Sequence, residues 1–373
     1  MKNRIYKYFF SEFIRYFSVV LFASVAIIWT IQAVNFLDLV TEDGHAFKIY
    51  LLYSFLTITK VLTKLIPFSF LAALILTILK FEKDNELIIL WTSGVNKIHL
   101  VKLLFRISLL IMFLQLFMSS LVTPETLNKS RSLLKNSQLQ FVSSLLKERQ
   151  FNDAVKSLTI FVDKKNEDGT YQNIFIRDDA QAISKISQSS TILARSGYVI
   201  ESEKKLFLFD GNIQKMDDEG NISLIQFEET TLNLSGLSTK TISEAKIQET
   251  STKRLLDCLT GRNTFTHNCN QNENNLSDAK IELNKRFGMP FFIPLIALIC
   301  SFLFSSRQEK KISGLYKYIY FLIGFLILVG AEITVRYSGI SFTHTLTYYL
   351  IPVVLLPIIY LYLIKTFKYE NLN

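Results

Sequence analysis

Residue types that usually carry catalysis or bind metal ions are scarce in this sequence. The chain of 373 residues has 4 histidines and 3 cysteines, and no histidine has a second ligand at metal-binding spacing. None of its 13 glycines belongs to a G-x-x-x-x-G-K-S/T motif, so the chain lacks a phosphate-cradling P-loop. These absences exclude a P-loop ATPase, and no catalytic constellation is visible.

Long apolar runs are the dominant feature that is present. Apolar residues make up 49% of the chain and its mean hydropathy is +0.27, which is too high for a wholly soluble protein of two ordinary domains. A membrane-spanning helix needs about 20 mainly apolar residues. Runs of about this length occur at 17–37, 49–79, 103–122, 287–304, 318–335 and 346–364. They predict three spans, a large polar insert, and three more spans.

The basic residues are unevenly distributed between the connections. Cytoplasmic loops retain Lys and Arg, so the more basic side of the membrane is expected to be the cytoplasm. The first and fifth connections have one basic residue each, Lys48 and Arg336. The other side has Lys2, Arg4, Lys7 and Arg15 at the N-terminus, Lys80, Lys83, Lys97 and Lys102 in the second connection, Arg307, Lys310, Lys311 and Lys317 in the fourth, and Lys365 and Lys368 at the C-terminus. This pattern predicts cytoplasmic termini and an insert outside the cytoplasm.

The formal charge of +9 has the same origin. Residues 123–283 hold 20 of the 41 Lys+Arg and 22 of the 32 Asp+Glu, so the positive excess lies wholly in the membrane part. A basic chain often signals a nucleic-acid partner, but here the excess charge follows the topology. No nucleic-acid partner is expected.

The insert changes to a period of two from residue 157 onward. Short runs rich in β-branched and aromatic residues are separated by Asp-Gly and Glu-Gly turns, which predicts an antiparallel sandwich or jellyroll. Residues 235–277 are rich in Ser, Thr and Asn and are expected to form a connector with one short helix near 253–259. The expected divisions are therefore a membrane part at 1–122, a β-domain with its connector at 123–283, and a second membrane part at 284–373.

The cysteines occur in two settings. Cys300 lies within the fourth apolar run and is expected to be a small packing residue. Cys258 and Cys269 both lie in the outer segment, where oxidising conditions would permit a disulfide that closes a loop of about ten residues. The sequence leaves open whether these two are bonded.

The second connection contains a short amphipathic pattern at about 82–94. Asp84 or Asn85 is available as its N-cap, apolar residues follow, and Gly94 is placed to end it. Such a helix could dock in a groove of a cytoplasmic partner with Glu86 as a charged anchor. It could equally rest on lipid with Trp91 at the headgroup level.

Charged residues within or beside the spans form a second candidate site. Lys60 and Lys64 lie four apart on one face of the second span, and Glu332 and Arg336 lie four apart near the outer end of the fifth and could pair. Lys60, Lys64 and Arg336 would form a basic rim suited to phosphates of an anionic lipid. The alternative is that they snorkel to ordinary headgroups.

These features together resemble the LptF/LptG permease family of the lipopolysaccharide-export ABC transporter. The order and spacing of several short segments carry the resemblance. They are Asp38 at the end of the first span, Asn85 to Val95, Leu146-Lys147-Glu148-Arg149-Gln150-Phe151, Thr159-Ile160-Phe161-Val162 with Gly169 and Phe175-Ile176, and Glu282-Leu283-Asn284-Lys285-Arg286 followed by Pro290. The sequence departs from the family pattern at Ile89 and Thr92, where the family has small residues. The opening of the β-domain is more similar to LptF than to LptG.

The resemblance implies a fold and a set of partners. It implies a polytopic α-helical membrane protein with six transmembrane helices and an inserted extracytoplasmic antiparallel β-jellyroll, located in the bacterial inner membrane. The expected partners are a paralogous six-span permease, a cytoplasmic ABC ATPase dimer, a periplasmic jellyroll bridge protein, and lipopolysaccharide taken from the outer leaflet. No cofactor is expected in this chain, because ATP and Mg belong to the ATPase.

The resemblance also implies roles for individual residues. The helix at 82–94 corresponds to the family's coupling helix, so Glu86, Leu87, Leu90 and Gly94 are expected to couple the chain to the ATPase. Lys60, Lys64 and Arg336 are expected to bind the substrate. The competing hypothesis is a non-transporting inner-membrane scaffold or receptor whose β-domain binds an envelope partner.

Overall fold

A computed structural model describes most of the chain. The described residues are 2–41, 46–136, 146–153, 158–166, 168–179, 190–200, 205–216, 222–233, 246–260, 273–305 and 313–370. The chain divides into two compact units. The helical unit comprises Met1–Thr30, Thr57–Asn128 and Lys246–Asn373, and the sheet unit comprises Ile31–Leu56 and Lys129–Ala245.

Within the described ranges, six helical segments are long and apolar enough to cross a membrane, which confirms the predicted pattern of spans. They are Arg4–Thr41, Phe47–Lys83, Lys97–Leu134, Leu276–Phe304, Tyr318–Tyr337 and Phe342–Lys368. The individual helices are α1 (Lys2–Asn35), α2 (Asp38–Thr41), α3 (Phe47–Lys83), α4 (Glu86–Thr92), α5 (Lys97–Phe117), α6 (Thr123–Asn136), α7 (Thr252–Leu259), α8 (Glu273–Gly288), α9 (Phe292–Cys300), α10 (Ser313–Tyr337) and α11 (Phe342–Glu370).

The fourth span is the centre of the helical unit. Every residue of α9 is buried, and 72% of the apolar window of this span is buried, against 17% for the first, fifth and sixth spans. A helix that is apolar all round can occupy such a position because every face has an apolar neighbour. On α1 the buried residues recur every fourth position, at Phe9, Phe13, Phe17, Leu21 and Val25. The opposite face of α1 remains available to lipid or to another subunit.

The third span does not end where Pro124 begins the predicted insert. A π-helical turn at Met118–Val122 joins α5 to α6, and the helix continues through Pro124. A proline has no N–H to donate to the carbonyl four residues earlier, which here belongs to Ser120. That carbonyl accepts a hydrogen bond from the Thr252 hydroxyl of α7. A side chain from a distant part of the chain therefore satisfies the acceptor that Pro124 leaves open.

The cysteines of the helical unit differ in state. Cys258 of α7 is disulfide-bonded, which decides for this residue the alternative that the sequence leaves open. Cys300 is a free thiol and is completely buried in α9, in agreement with its expected packing role. Cys269 lies outside the described residues.

The sheet unit contains five antiparallel strands in sequential order, which confirms the predicted β-domain class. They are β1 (Leu158–Lys165), β2 (Thr170–Asp178), β3 (Ser190–Ile200), β4 (Lys205–Met216) and β5 (Ile222–Asn233). β3 and β4 each join two short runs that the sequence pattern separates, 191–194 with 198–200 and 205–209 with 212–216. The expected turn at Asp210-Gly211 lies within β4, so that prediction is wrong.

Gly211 occupies the middle of a strand because of a close approach. A Cβ added there would lie 2.2 Å from the carbonyl oxygen of Leu193 on β3 and 2.4 Å from the Phe227 ring on β5. Gly197 on β3 is equally confined, at 2.5 Å from the carbonyl oxygen of Phe207. Glycine in a strand interior often marks such an approach, whereas the pattern of the sequence suggested a hairpin.

A polar line crosses the whole sheet. Each strand has one position that the cross-strand pairing skips, although the register is the same on both sides. These positions are Asp163, Asn173, Arg195, Asp210 and Glu228. We call this line the crease. Asn173 and Asp210 have positive φ values of 51° and 49°, a conformation that Asn and Asp tolerate better than most residues.

The inward-facing positions change phase at the crease. On β3, Ile192 and Ala194 are buried before it and Gly197 is buried after it. Buried side chains from both halves of the sheet, such as Ile176 and Tyr171 of β2, belong to one apolar cluster. The crease therefore lets the two halves of one sheet contribute to the same core.

The two edges of the sheet differ. Residues 148–152 lie along the outer edge of β1, where Asn152 and Ile160 exchange backbone hydrogen bonds of 2.8 and 2.9 Å and the Arg149 N–H donates to the Val162 carbonyl. The outer edge of β5 has no strand partner among the described residues. Its side chains are largely exposed, and Ile222 is 71% exposed.

Candidate functional site

A cavity of about 300 Å³ lies in the helical unit where α3, α5, α6, α8 and α10 approach one another. Its polar lining residues include Lys60, Thr63, Lys64, Gln115, Ser119, Thr123, Gln248, Glu282, Lys285, Arg286 and Glu332. Pro67, Leu127 and Met289 contribute apolar surface. We call it the basic cavity, because four of its lining residues are basic and two are acidic.

Two hydroxyl pairs close the wall between α3 and the start of α6. Thr59 and Thr126 are 2.6 Å apart at their Oγ1 atoms, and Thr63 and Thr123 are 2.8 Å apart. Residues 59 and 63 lie one turn apart on α3, as do Lys60 and Lys64. The hydroxyl pairs therefore hold the turn of α3 that presents the two lysines.

Arg286 is the buried centre of this region and is only 3% exposed. Its Nε donates to Glu282 at 2.9 Å, its Nη1 donates to Thr252 Oγ1 at 3.0 Å, and its Nη2 donates to the Gln248 carbonyl at 3.1 Å. Its own carbonyl accepts a hydrogen bond of 2.9 Å from Ser119. All three guanidinium nitrogens donate to acceptors within the chain. Arg286 therefore positions the segments around the cavity and is not free for a ligand.

Lys285 is also paired within the chain. It forms an ion pair with Glu332 of α10. The expected pairing of Glu332 with Arg336 along α10 is therefore replaced by a bond to α8, because the two helices bring opposite charges together. Arg336 is exposed and is not among the residues that line the cavity.

Lys60 and Lys64 are the two basic residues of the cavity that have no acidic partner among the described residues. Among the described residues, neither forms an ion pair or a hydrogen bond. Lys60 is half-buried and Lys64 is exposed. Gln115 is 5% exposed and its Oε1 has no hydrogen-bond partner among the described residues. The cavity thus offers two free ammonium groups and one unsatisfied acceptor.

The sequence does not single out Lys285, Arg286 or Gln115 as lining residues. The signal for Arg286 is the motif from Glu282 to Pro290, whose acid and base lie four apart. Gln115 carries no signal of its own, because a glutamine in a span is recognisable as functional only once its surroundings are known.

The second candidate site is α4, the short helix between the second and third spans. It covers Glu86–Thr92 and is shorter than the predicted 82–94, because α3 continues to Lys83 and includes Glu82. Asn85, one of the two predicted N-cap residues, does occupy the N-cap position. Asn85 has φ 59° and its side chain makes no capping hydrogen bond, so the sharp turn between α3 and α4 determines this residue's conformation.

The predicted end of α4 at Gly94 is confirmed. Gly94 has φ 77°, its N–H donates to Trp91 O at 3.1 Å, and the Val95 N–H donates to Leu90 O at 3.1 Å. This pair of bonds is a Schellman motif, in which glycine adopts the left-handed conformation without strain. Gly94 therefore shapes the end of α4.

The two faces of α4 have different surroundings. Leu87 and Leu90 are buried in the main apolar cluster of the helical unit. Ile88 and Ile89 are 58% and 62% exposed. The leucines hold α4 in place, and the isoleucines, which the sequence does not single out, form the outward apolar face.

Glu86 contacts the N-terminal helix. The Tyr8 hydroxyl of α1 donates to Glu86 Oε1 at 3.1 Å, and the Tyr8 ring packs against Phe81 with centroids 5.5 Å apart. Nearby, Lys80 pairs with Glu12 at 2.7 Å. The carboxylate of Glu86 is thus linked to the first span and is also on the same short helix as the exposed isoleucines.

Comparisons with known proteins identify the family. Residues 7–366 match the family described as lipopolysaccharide export system permease LptF/LptG. A relative is the uncharacterised protein RP871 of Rickettsia prowazekii (strain Madrid E), which is 28% identical over 237 residues. That match covers 63% of this chain and 64% of the relative, so the chain spans just under two thirds of the relative's length. Because the family match extends over nearly the whole chain, this protein belongs to the LptF/LptG family of lipopolysaccharide export permeases.

Proposed function

We propose that this chain takes lipopolysaccharide laterally from the outer leaflet of the inner membrane and passes it toward a periplasmic jellyroll bridge. The free ammonium groups of Lys60 and Lys64 in the basic cavity are the observation that carries the proposal. Lipopolysaccharide has phosphates close to its acyl chains, and ammonium groups at a partly apolar site bind phosphate through charge-assisted hydrogen bonds. The unsatisfied Gln115 oxygen adds an acceptor for a hydroxyl or amide of the same lipid.

The position of the lysines along α3 suits the outer leaflet. Lys60 lies 23 residues before the end of α3 at Lys83, which corresponds to about 35 Å of helix. The hydrocarbon core is about 30 Å thick. If α4 lies at the cytoplasmic face, as the basic connections predict, Lys60 reaches the opposite interface.

The first experiment separates the two lysines from the third predicted residue, Arg336. We expect K60Q/K64Q to lower photocrosslinking of lipopolysaccharide to the cavity by about tenfold, because two charge-assisted contacts are lost. R336Q is the matched comparison, since Arg336 is basic, exposed and outside the cavity lining. Unchanged crosslinking in K60Q/K64Q would return the lysines to the role of snorkelling side chains.

The coupling of this chain to ATP hydrolysis is proposed to occur through α4. A cytoplasmic ATPase would receive the outward face of Ile88 and Ile89 in a groove, with Glu86 as its charged contact. ATP and Mg would be bound by that ATPase, and this chain supplies no cofactor. Leu87, Leu90 and Gly94 would act by holding α4 in shape rather than by touching the ATPase.

Charge reversal at α4 tests this docking. E86K is expected to reduce copurification of the ATPase and lipopolysaccharide release at least about tenfold, because a repulsive contact replaces an attractive one. D84K is the matched control, since Asp84 is exposed two residues earlier and lies outside α4. If D84K disrupts the complex as strongly as E86K, the contact is not specific to α4.

The remaining partners are proposed from the surfaces of the chain. The exposed apolar faces of α1 and α10 suit a paralogous six-span permease, because each face presents a series of exposed large apolar side chains, such as Phe22 and Ile27 on α1 and Leu322 and Leu326 on α10. The open edge of β5 suits a jellyroll of the bridge through strand addition. The opening of the β-domain favours the LptF role. A native complex purified with both permeases, the ATPase dimer and the bridge would support this assembly, whereas a chain without a stoichiometric ATPase would favour the scaffold hypothesis.

A further inference from the structure

A second cavity lies in the helical unit between α5, α9 and α11 and has a volume of about 360 Å³. We infer that it binds the phosphate headgroup of an anionic phospholipid from the leaflet on the α4 side of the membrane. The cavity is separate from the basic cavity, and the two share no lining residue. Its lining consists of Lys102, Phe105, Arg106, Leu298, Leu356, Pro357 and Tyr360.

The two basic residues of this cavity share a face of α5. Lys102 and Arg106 are four residues apart, so their side chains lie one above the other. Of the residues that the structure describes, none of those lining this cavity is acidic. Among the described residues, neither Lys102 nor Arg106 forms an ion pair or a hydrogen bond. An anion from outside the chain would therefore neutralise these two positive charges.

Arg106 lies within the third candidate span, and its side chain is exposed at the surface of the helical unit. It is nine residues beyond the start of α5 at Lys97, which is about 14 Å along the helix axis. Arginine inside a span almost always finds a partner or reaches the interface. A lipid phosphate at the interface would supply two acceptor oxygens to the planar guanidinium, which suits bidentate binding.

The rest of the lining is apolar, as a lipid site requires. Leu298 is buried, and the rings of Phe105 and Tyr360 lie with centroids 6.4 Å apart. Basic pockets between transmembrane helices on the cytoplasmic side are typical headgroup sites for anionic lipids. A free phosphate ion would use only the basic part, whereas a phospholipid would also cover the apolar part.

This inference rests on the proposed function in one respect, the assignment of α4 and of this cavity to the cytoplasmic side of the membrane. Gly94, at the end of α4, lies three residues before the start of α5, so the cavity opens near the end of the molecule that carries the proposed ATPase dock. Lipopolysaccharide in the outer leaflet is not its ligand. The two sites are therefore expected to respond to different variants.

Lipid retention by the purified full complex tests the inference. In native mass spectrometry, the complex is expected to retain dioleoyl-phosphatidylglycerol at least about tenfold more than dioleoyl-phosphatidylcholine, because two cations favour the anionic headgroup. K102Q/R106Q should lose this preference, and the charge-preserving K102R/R106K should keep it. K365Q/K368Q is the matched control, because both residues are exposed and basic on α11 and lie outside the cavity.

Each outcome decides the matter. An unchanged preference in K102Q/R106Q, or an equal loss in K365Q/K368Q, would overturn the inference. Millimolar inorganic phosphate that binds the complex without retention of phosphatidylglycerol would identify a soluble-phosphate site and would also overturn it. Lipopolysaccharide crosslinking at the basic cavity is measured on the same variants and should be unchanged, so failure here is distinguishable from failure of the proposed function.

Discussion

The two compact units use polar residues in opposite ways. In the helical unit, the buried Arg286 donates hydrogen bonds to Glu282, Thr252 and Gln248, which come from three different segments of the chain. In the sheet unit, polar residues mark the crease, where the cross-strand pairing skips one position in every strand. A fully buried charge between helices needs hydrogen-bond partners, whereas a sheet can change the phase of its buried face where backbone pairing is interrupted. The consequences of substitution should differ accordingly.

The largest expected loss of stability follows from removing Arg286 in the helical unit. R286A should destabilise the protein by about 3 kcal/mol, because it removes a buried charged group and leaves the Gln248 carbonyl and the mostly buried Glu282 carboxylate, which is 16% exposed, without their partner. K285Q is the control on the neighbouring residue and should cost at most about 1 kcal/mol, since a partly exposed pair contributes little. Lys285 and Glu332 are 29% and 37% exposed, whereas Arg286 is 3% exposed. Thermal unfolding in detergent measures both, and equal losses would contradict the distinction.

The next prediction concerns the sheet, where the cost is steric. G211A should destabilise the protein by about 3 kcal/mol, because the new Cβ meets a backbone oxygen that cannot move independently of β3. G330A on α10 is the matched control, since an added Cβ there has nothing within 4 Å. Alanine in a helix interior should be neutral or stabilising by up to about 1 kcal/mol. A neutral G211A would show that the close approach in β4 is not required.

A smaller effect is expected where a hydrogen bond is exposed. Y8F removes the bond from Tyr8 to Glu86 and should change stability by about 1 kcal/mol or less. If this bond orients Glu86 for the ATPase, Y8F should nevertheless lower ATP-driven lipopolysaccharide release severalfold. Y6F is the control, because Tyr6 lies two residues before Tyr8 on α1 and its side chain makes no hydrogen bond among the described residues. Equal release by the two variants would separate α1 from coupling.

The smallest prediction is a pH effect confined to the sheet unit. Asp168 in the β1–β2 turn accepts hydrogen bonds from the Thr170 N–H at 3.0 Å and from its hydroxyl at 2.6 Å, and these bonds lower the pKa of the carboxyl below its ordinary value of 3.8. The small stabilisation is present above the ordinary pKa and is lost as the pH falls through the lowered pKa. NMR titration should show the pKa of Asp168 rising in T170V. No rise would show that the hydroxyl contributes nothing.

The local sequence pattern predicts the helices and strands well, but it predicts poorly where one segment closely approaches another. The six spans, the antiparallel β-domain, the short helix of α7 and the glycine end of α4 are all set by periodicity, length and turn chemistry within a few residues. The turn expected at Asp210-Gly211 failed, because the chemistry of a hairpin and the chemistry of a close strand approach both favour glycine. Asn85 takes the N-cap position that the sequence offers, but its side chain makes no capping hydrogen bond, because the sharp turn after α3 holds it in a left-handed conformation.

The candidate sites show the same division. Lys60, Lys64 and Glu86 could be selected from charge and spacing, and the structure places the two lysines at one cavity and Glu86 on α4. The sequence could not show that Lys60 and Lys64 are free while Lys285 and Arg286 are paired. The partners of Lys285 and Arg286 come largely from other segments of the chain. The roles of the exposed Ile88 and the buried Leu87 were equally hidden, because a helix of seven residues has too few turns to reveal its inward face.

The sequence by itself determined how many times this chain can cross a membrane, which connections are basic, and that a β-domain interrupts the spans. These properties depend on residues near one another, and mean composition over about 20 residues is enough to specify them. Only the tertiary structure decided which charges neutralise each other, where the sheet creases, and which lysines of the basic cavity stay unpaired. The reason is physical: an ion pair or a close approach depends on two segments far apart in the chain, and neither segment alone carries the other's position.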